Sequence, residues 1–199
     1  MRWVRAVQRV ATPGRVFWAF VAAVAFSAWF FAAGPHADMR PFGGVPDERF
    51  GDSAGDHLES LDAMGTDGRG AYRTFLLADL AFPLLHAVWL TGFLAVATKR
   101  WRALPDVAVA APVLALLADW LENGSFGLLL AQHPDPSGAV AVAAVGFQWL
   151  KLAANVVAAL LALAYVAHLV MHPVRRRPAR RSAKGSRGRT QDRSRRRER

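Results

Sequence analysis

At 199 residues the chain has room for one domain or a small domain with appendages, and 53% of it is hydrophobic. Its 25 Lys and Arg against 15 Asp and Glu are not spread evenly, since residues 173–199 hold 13 basic and 2 acidic residues and leave the rest near neutral. The absence of cysteine excludes disulfide frameworks, thiol–disulfide chemistry and cysteine-ligated zinc or iron–sulfur sites, and leaves the redox compartment open.

In chain order, residues 1–15 carry Arg2, Arg5, Arg9 and Arg15 ahead of an apolar run, 16–33, whose one polar break is Ser27. This run exceeds the ~7 to 15 residues of a signal-peptide core and ends in Trp29, Phe30 and Phe31 instead of a small-x-small cleavage site, so it is expected to stay as an uncleaved signal-anchor helix. The 41 residues of 34–74 are net −4 and hold Pro35, Pro41, Pro46 and several glycines. They are expected to form an irregular, solvated loop with one short helix over 53–64, where Leu58, Leu61 and Met64 share a face. The loop's carboxylates lack the spacing of a calcium loop.

Three further apolar runs follow at 75–98, 107–131 and 139–171. A transmembrane helix needs roughly 17 to 25 residues, so the last is overlong; it either tilts or continues into the headgroup layer at Tyr165, His168 and His172. Helices of a soluble bundle would show polar and apolar faces, which these runs do not. The segment 175–199 has Arg, Ser and Gly and no large apolar residue, so it is expected to be disordered. Next to a span it suits anionic headgroups, at about 1 kcal/mol per basic residue. No aromatic residue interleaves its arginines for base stacking, and no specific nucleic acid is expected.

The expected fold is therefore all-α, a four-transmembrane-helix bundle with a 41-residue outer loop and a basic C-terminal tail. Basic residues number 20 in the N-terminal segment, the Lys99–Arg102 connection and the tail, against four (Arg40, Arg49, Arg69, Arg73) in the loop. Positive-inside bias then puts both termini in the cytoplasm of a multi-pass protein of the bacterial inner membrane.

Ionisable and amide side chains inside spans are costly and point to function by default. Here they group: Asp79 and His86 around Pro83, then Asp119, Glu122 and Asn123, then Gln148, Lys151 and Asn155. Asp119, Glu122 and Asn123 share one helix face at i, i+3, i+4. Gln148, Lys151 and Asn155 lie on a seam of small residues, Ala144, Ala158 and Ala162, of the kind that packs helices in lipid. Spans three and four are joined by seven residues, 132–138, so they are antiparallel neighbours. Counted from that hairpin, Asp119 and Lys151 lie at one depth, about 18 Å in, and Glu122 is level with Gln148. A carboxylate–ammonium pair and a Glu122–Gln148 pair are expected, with Asp79, Pro83 and His86 on one face of span two.

Three carboxylates against one lysine is an excess that protonation, hydration or a bound partner must relieve. Three readings stay open: a proton- or ligand-coupled membrane protein, an intramembrane lipid-modifying enzyme with Asp119 and Glu122 as acid and base, or a purely structural cluster that sets helix register. No metal site and no cofactor is expected, membrane lipids are the expected partners, and His36 and His57 read as loop residues.

The run Tyr72-Arg73-Thr74-Phe75-Leu76-Leu77-Ala78-Asp79, then Phe82-Pro83, Asp119-Trp120-Leu121-Glu122-Asn123 and Trp149-Leu150-Lys151 resembles a family of uncharacterised bacterial four-span integral membrane proteins. The resemblance covers about 72–165 and implies the topology and the choice of cluster residues, with no activity attached. Thiol-oxidising four-span enzymes and claudin-like proteins fit less well, because both need cysteine pairs that are absent.

Overall fold

The computed structural model describes residues 2–101 and 103–172; the basic tail expected to be disordered lies outside them. Among the described residues there are helices and no strand: α1 (Arg2–Val10), α2 (Pro13–Ala32), α3 (Pro35–Asp38), α4 (Ala54–Ala63), α5 (Gly65–Asp79), α6 (Ala81–Arg100), α7 (Ala111–Gln132) and α8 (Gly138–Met171). Four stretches, Pro13–Asp38, Gly65–Arg100, Asp106–Gln132 and Gly138–Met171, are long and apolar enough to cross a membrane, the pattern of a multi-pass membrane protein. The chain divides into two compact units, Met1–Val166 and Ala167–Arg199. The second contributes, among described residues, the end of α8, where the rings of His168 and His172 lie 4.9 Å apart.

Local chemistry explains where the helices begin. Thr12 caps α2 by accepting the Arg15 backbone N–H at 3.4 Å, and Pro13 occupies the first turn, where its missing N–H costs nothing. The helix therefore starts three residues before its apolar run. Ahead of it, α1 is amphipathic: Arg2, Arg5 and Arg9 are exposed while Val4 is buried among Leu94, Ala97, Val109 and Tyr165. Gln8 Nε2 donates to Thr98 Oγ1 at 3.0 Å and to Asp106 Oδ1 at 3.1 Å, clipping α1 to the end of α6.

Residues 34–74 depart from the expected irregular loop. Only α4 was anticipated, and it carries a reciprocal capping box in which Ser53 and Asp56 each bond the other's backbone N–H. The 3-10 turns Arg40–Phe42 and Pro46–Glu48 precede it, and α5 starts at Gly65, ten residues before the apolar run. The polar first half of α5 is held by tertiary contacts that hydropathy does not register. Arg69 donates to the Leu61 carbonyl, Arg73 to the Leu130 carbonyl, and Tyr72 and Phe75 are buried.

The whole segment folds as a cap over one end of the bundle. Phe30, Met39, Val45, Leu61, Tyr72, Phe75, Phe126 and Leu129 form a shared core beneath it. Polar clasps hold its rim: His36 to Glu48 and His133 to Asp62, each at 3.0 Å, and Arg49 to Ser60 and the Gly43 carbonyl, each at 2.7 Å. Gly43 and Gly44 turn the chain at φ +88° and +86°, a region closed to most side chains.

Span two is likewise not one helix. It breaks at Leu80, because Pro83 has no N–H for the Asp79 carbonyl. The Trp120 indole N–H donates to the adjacent Leu80 carbonyl at 3.1 Å.

Candidate functional site

The short connection between α7 and α8 sets their side chains in register. Lys151 Nζ lies 2.5 Å from Glu122 Oε2 and 4.0 Å from Asp119 Oδ2. Glu122 has no solvent exposure and is the closer counter-ion. A buried carboxylate–lysine cluster is thus present, and the lysine is shared unequally.

Gln148 does not pair with Glu122 as its depth suggested. Its amide N–H donates at 2.7 Å to the backbone carbonyl of Asp47, a residue of the cap. Asp47 is 2% exposed, and its Oδ1 accepts the Tyr72 hydroxyl at 2.8 Å. Burial pushes the Asp47 carboxyl above its ordinary value, with the Lys151 charge and the Tyr72 hydrogen bond pulling back. Asp47 and Tyr72 were missed in the sequence. Asp47 looked like one of eight solvated loop acids, and nothing periodic marks a loop residue that folds inward.

Asp79 and His86 lie on either side of Leu80 and have different partners. Asp79 ends α5 and accepts from Asn123 Nδ2 at 2.8 Å. His86, on α6, bonds through Nδ1 to the Phe82 carbonyl at 2.8 Å. Because a carbonyl only accepts, Nδ1 carries a proton in this bond, and Nε2 is the ring nitrogen left for another partner.

His86 lines a cavity of about 260 Å³ between α6, α7 and α8, with Phe82, Pro83, Leu90, Ala115, Leu116, Asp119 and Asn155. Asp119 is 8% exposed, and its Oδ1 is buried without a hydrogen-bond partner among the described residues. Asn155 shares the inward face of α8 with the buried Ala144, Gln148 and Ala158, yet it is exposed. It lines the cavity from a position halfway along the 34-residue helix.

A second, larger cavity of about 400 Å³ occupies the other side of the α6–α7 seam, lined by apolar residues of α1, α2, α6 and α7 such as Val10, Val16, Val88 and Val113 with Arg15. Ala87 and Leu116 line both cavities. Under the cap, His57 is 1% exposed with its ring edge-on to Phe126, and neither ring nitrogen has a hydrogen-bond partner among the described residues. No group of three or more His, Asp or Glu among the described residues has a geometry that would hold a metal ion.

Comparison with models of protein families, with curated proteins and with solved structures found no match to this chain.

Proposed function

We propose that the protein is a multi-pass protein of the bacterial cytoplasmic membrane, both termini inside, that binds a membrane-dissolved molecule by its polar head at Asp119. One observation carries this reading: Asp119, whose Oδ1 is buried without a hydrogen-bond partner among the described residues, lines a cavity between the helices. Retaining an unpaired buried acceptor costs on the order of 1 to 3 kcal/mol; Glu122, Asn123 and Gln148 carry such oxygens too, and Asp119 is the one of these residues that lines the cavity, where a ligand's donor removes the cost. Glu122 serves here as the internal counter-ion of Lys151, which leaves Asp119 for the ligand. The cap, closed by Phe30, Met39 and Phe75, makes entry from the aqueous outside poor and entry from the bilayer natural. The resemblance over 72–165 supports the topology, and the 13 basic residues of 173–199 suit contact with anionic headgroups on the cytoplasmic side.

A catalytic variant of this reading uses Asp119 and His86 as acid and base, favoured by their lining the same cavity. Glu122 is not among the lining residues, which weighs against the Asp119–Glu122 pair in that role.

Mild detergent extraction and mass spectrometry of the small molecules carried by the purified protein tests the proposal. The parent should release one dominant amphiphile near one-to-one stoichiometry, and a folded Asp119→Leu variant should not. An identical extract from a well-folded Asp119→Leu protein would end the ligand reading and the catalytic one together.

A further inference from the structure

We infer that the head group taken at Asp119 is an ammonium carried on an apolar body. The inference rests on the cavity being a ligand site and names the ligand's chemical class.

Charge is the first argument. Asp47, Asp79, Asp119 and Glu122 are 2%, 7%, 8% and 0% exposed, and Lys151 is the cation within their reach. Lys151 sits against Glu122, Tyr72 bonds Asp47 and Asn123 bonds Asp79, so each of these three carboxylates has a partner at hydrogen-bond distance. Asp119 has only the lysine at 4.0 Å, and its other oxygen faces none. An anionic head would enter a field set by four carboxylates. A neutral head would leave the Asp119 charge with only the shared Lys151, 4.0 Å away, as counter-ion in a low-dielectric interior, where unbalanced charge is most costly. A cation resolves both.

Hydrogen-bonding capacity is the second argument. Asp119 Oδ1 accepts, and with Nδ1–H committed to the Phe82 carbonyl, Nε2 is the His86 nitrogen left for a ligand. The Asn155 amide at the rim supplies a further carbonyl oxygen. An ionised Asp119 can only accept, and an ammonium has nothing but donors to offer. Phe82, on the same wall, presents an aromatic ring to the cation, an added attraction that strengthens away from water. Leu90, Ala115 and Leu116 complete a lining that only an apolar body would cover. The small volume, about 260 Å³, admits the head and the first part of a chain, whose remainder leaves past Asn155 into hydrocarbon.

The test compares three probes with one chain: dodecylamine, dodecanol and dodecanoate. The full chain is reconstituted in phosphatidylcholine nanodiscs at neutral pH, and binding is read by native mass spectrometry and by the shift in melting temperature. Dodecylamine should bind one-to-one and at least about tenfold more tightly than dodecanol, a difference of about 1.4 kcal/mol, with dodecanoate weaker still. Asp119→Asn, nearly isosteric, should bring amine and alcohol to within about twofold of each other, again on the affinity scale. Should that variant fail to fold, Asn155→Trp, a change at an exposed position, should block the rim and abolish amine binding. Equal binding of amine and alcohol by the parent would overturn the ammonium inference and leave the ligand-site reading standing. Binding of none of the three would overturn both, and amine binding untouched by Asp119→Asn or Asn155→Trp would move the site elsewhere and sink the inference.

Discussion

Lys151→Met strips Glu122, a carboxylate without solvent exposure, of the ammonium 2.5 Å away. Breaking a buried pair by removing one member typically destabilises by ~3 to 5 kcal/mol, whereas removing both members is often near neutral. The detergent melting temperature should therefore fall in Lys151→Met and recover more with Glu122→Leu added than with Asp119→Leu, whose carboxylate lies 4.0 Å from the lysine. No recovery with Glu122→Leu would mean that the pair is not what the mutation breaks. That Lys151 would meet this carboxylate face was legible in the sequence, because a seven-residue hairpin leaves little freedom in depth. The partner of Gln148 was not legible: Asp47 is 101 residues away, and no helical period links a cap turn to a span. Titration separates two of the cap's buried groups. Burial lowers His57 from its ordinary 6.5, outweighing the opposing charges of Asp52, Asp47 and Asp56. The unfolded ring takes up a proton below 6.5 while the folded ring resists, so the stability His57 confers is present above that pH and is lost as pH falls through its lowered folded value. Asp47 has the opposite sign. Its carboxyl is raised from 3.8, so its contribution is greatest below that value and is lost as pH rises through the folded one. Melting curves across about pH 4 to 8 should lose their acid-side decline in His57→Leu and part of their rise-of-pH decline in Asp47→Asn. Unchanged slopes in both variants would place these groups in water.

Among the elements, the cap depends on how closely α5 approaches the Arg40–Phe42 turn. A Cβ at Gly68 would stand 2.7 Å from Met64 Cβ and 2.9 Å from Phe42 Cδ1, distances that force a neighbour to move. Gly68→Ala should cost about 1 to 3 kcal/mol, the usual penalty for overpacking, although alanine is the better helix former. A variant more stable than the parent by detergent melting would show the contact to be loose. Hydropathy alone located the four long helices to within a few residues, except where packing decides. Residues 65–74 are polar, and they become helix only because Arg69 and Arg73 find carbonyls and Tyr72 finds Asp47. The interruption at Leu80 was written in Pro83, whereas the bond from Asn123 to Asp79 and the place of His86 on the cavity wall need the neighbouring helices in place. Asn155 shows the same limit from the other side: its place on the α8 seam is a matter of period, while its exposure depends on a neighbour that is not there.

For the molecule as a whole, the distribution of 20 basic residues against four predicts that reporter fusions after Arg102 and in the tail are cytoplasmic and one near Asp56 is external. A cytoplasmic Asp56 fusion would invert the protein and put the cap, with Asp47 and His57, on the inner side. Composition was sufficient for the number of long apolar helices, since that follows from bulk transfer energies that sum over many residues. The cavity was not legible because a void is defined by what several helices fail to fill. The proposed entry past the exposed Asn155 has a consequence for how any occupant would be measured. A molecule that arrives through hydrocarbon is presented at its mole fraction in the bilayer, not at its molarity in the buffer. Occupancy then follows the ratio of ligand to lipid: adding empty vesicles at fixed total ligand would unload the site, and two compounds of equal fit would rank by their partition coefficients.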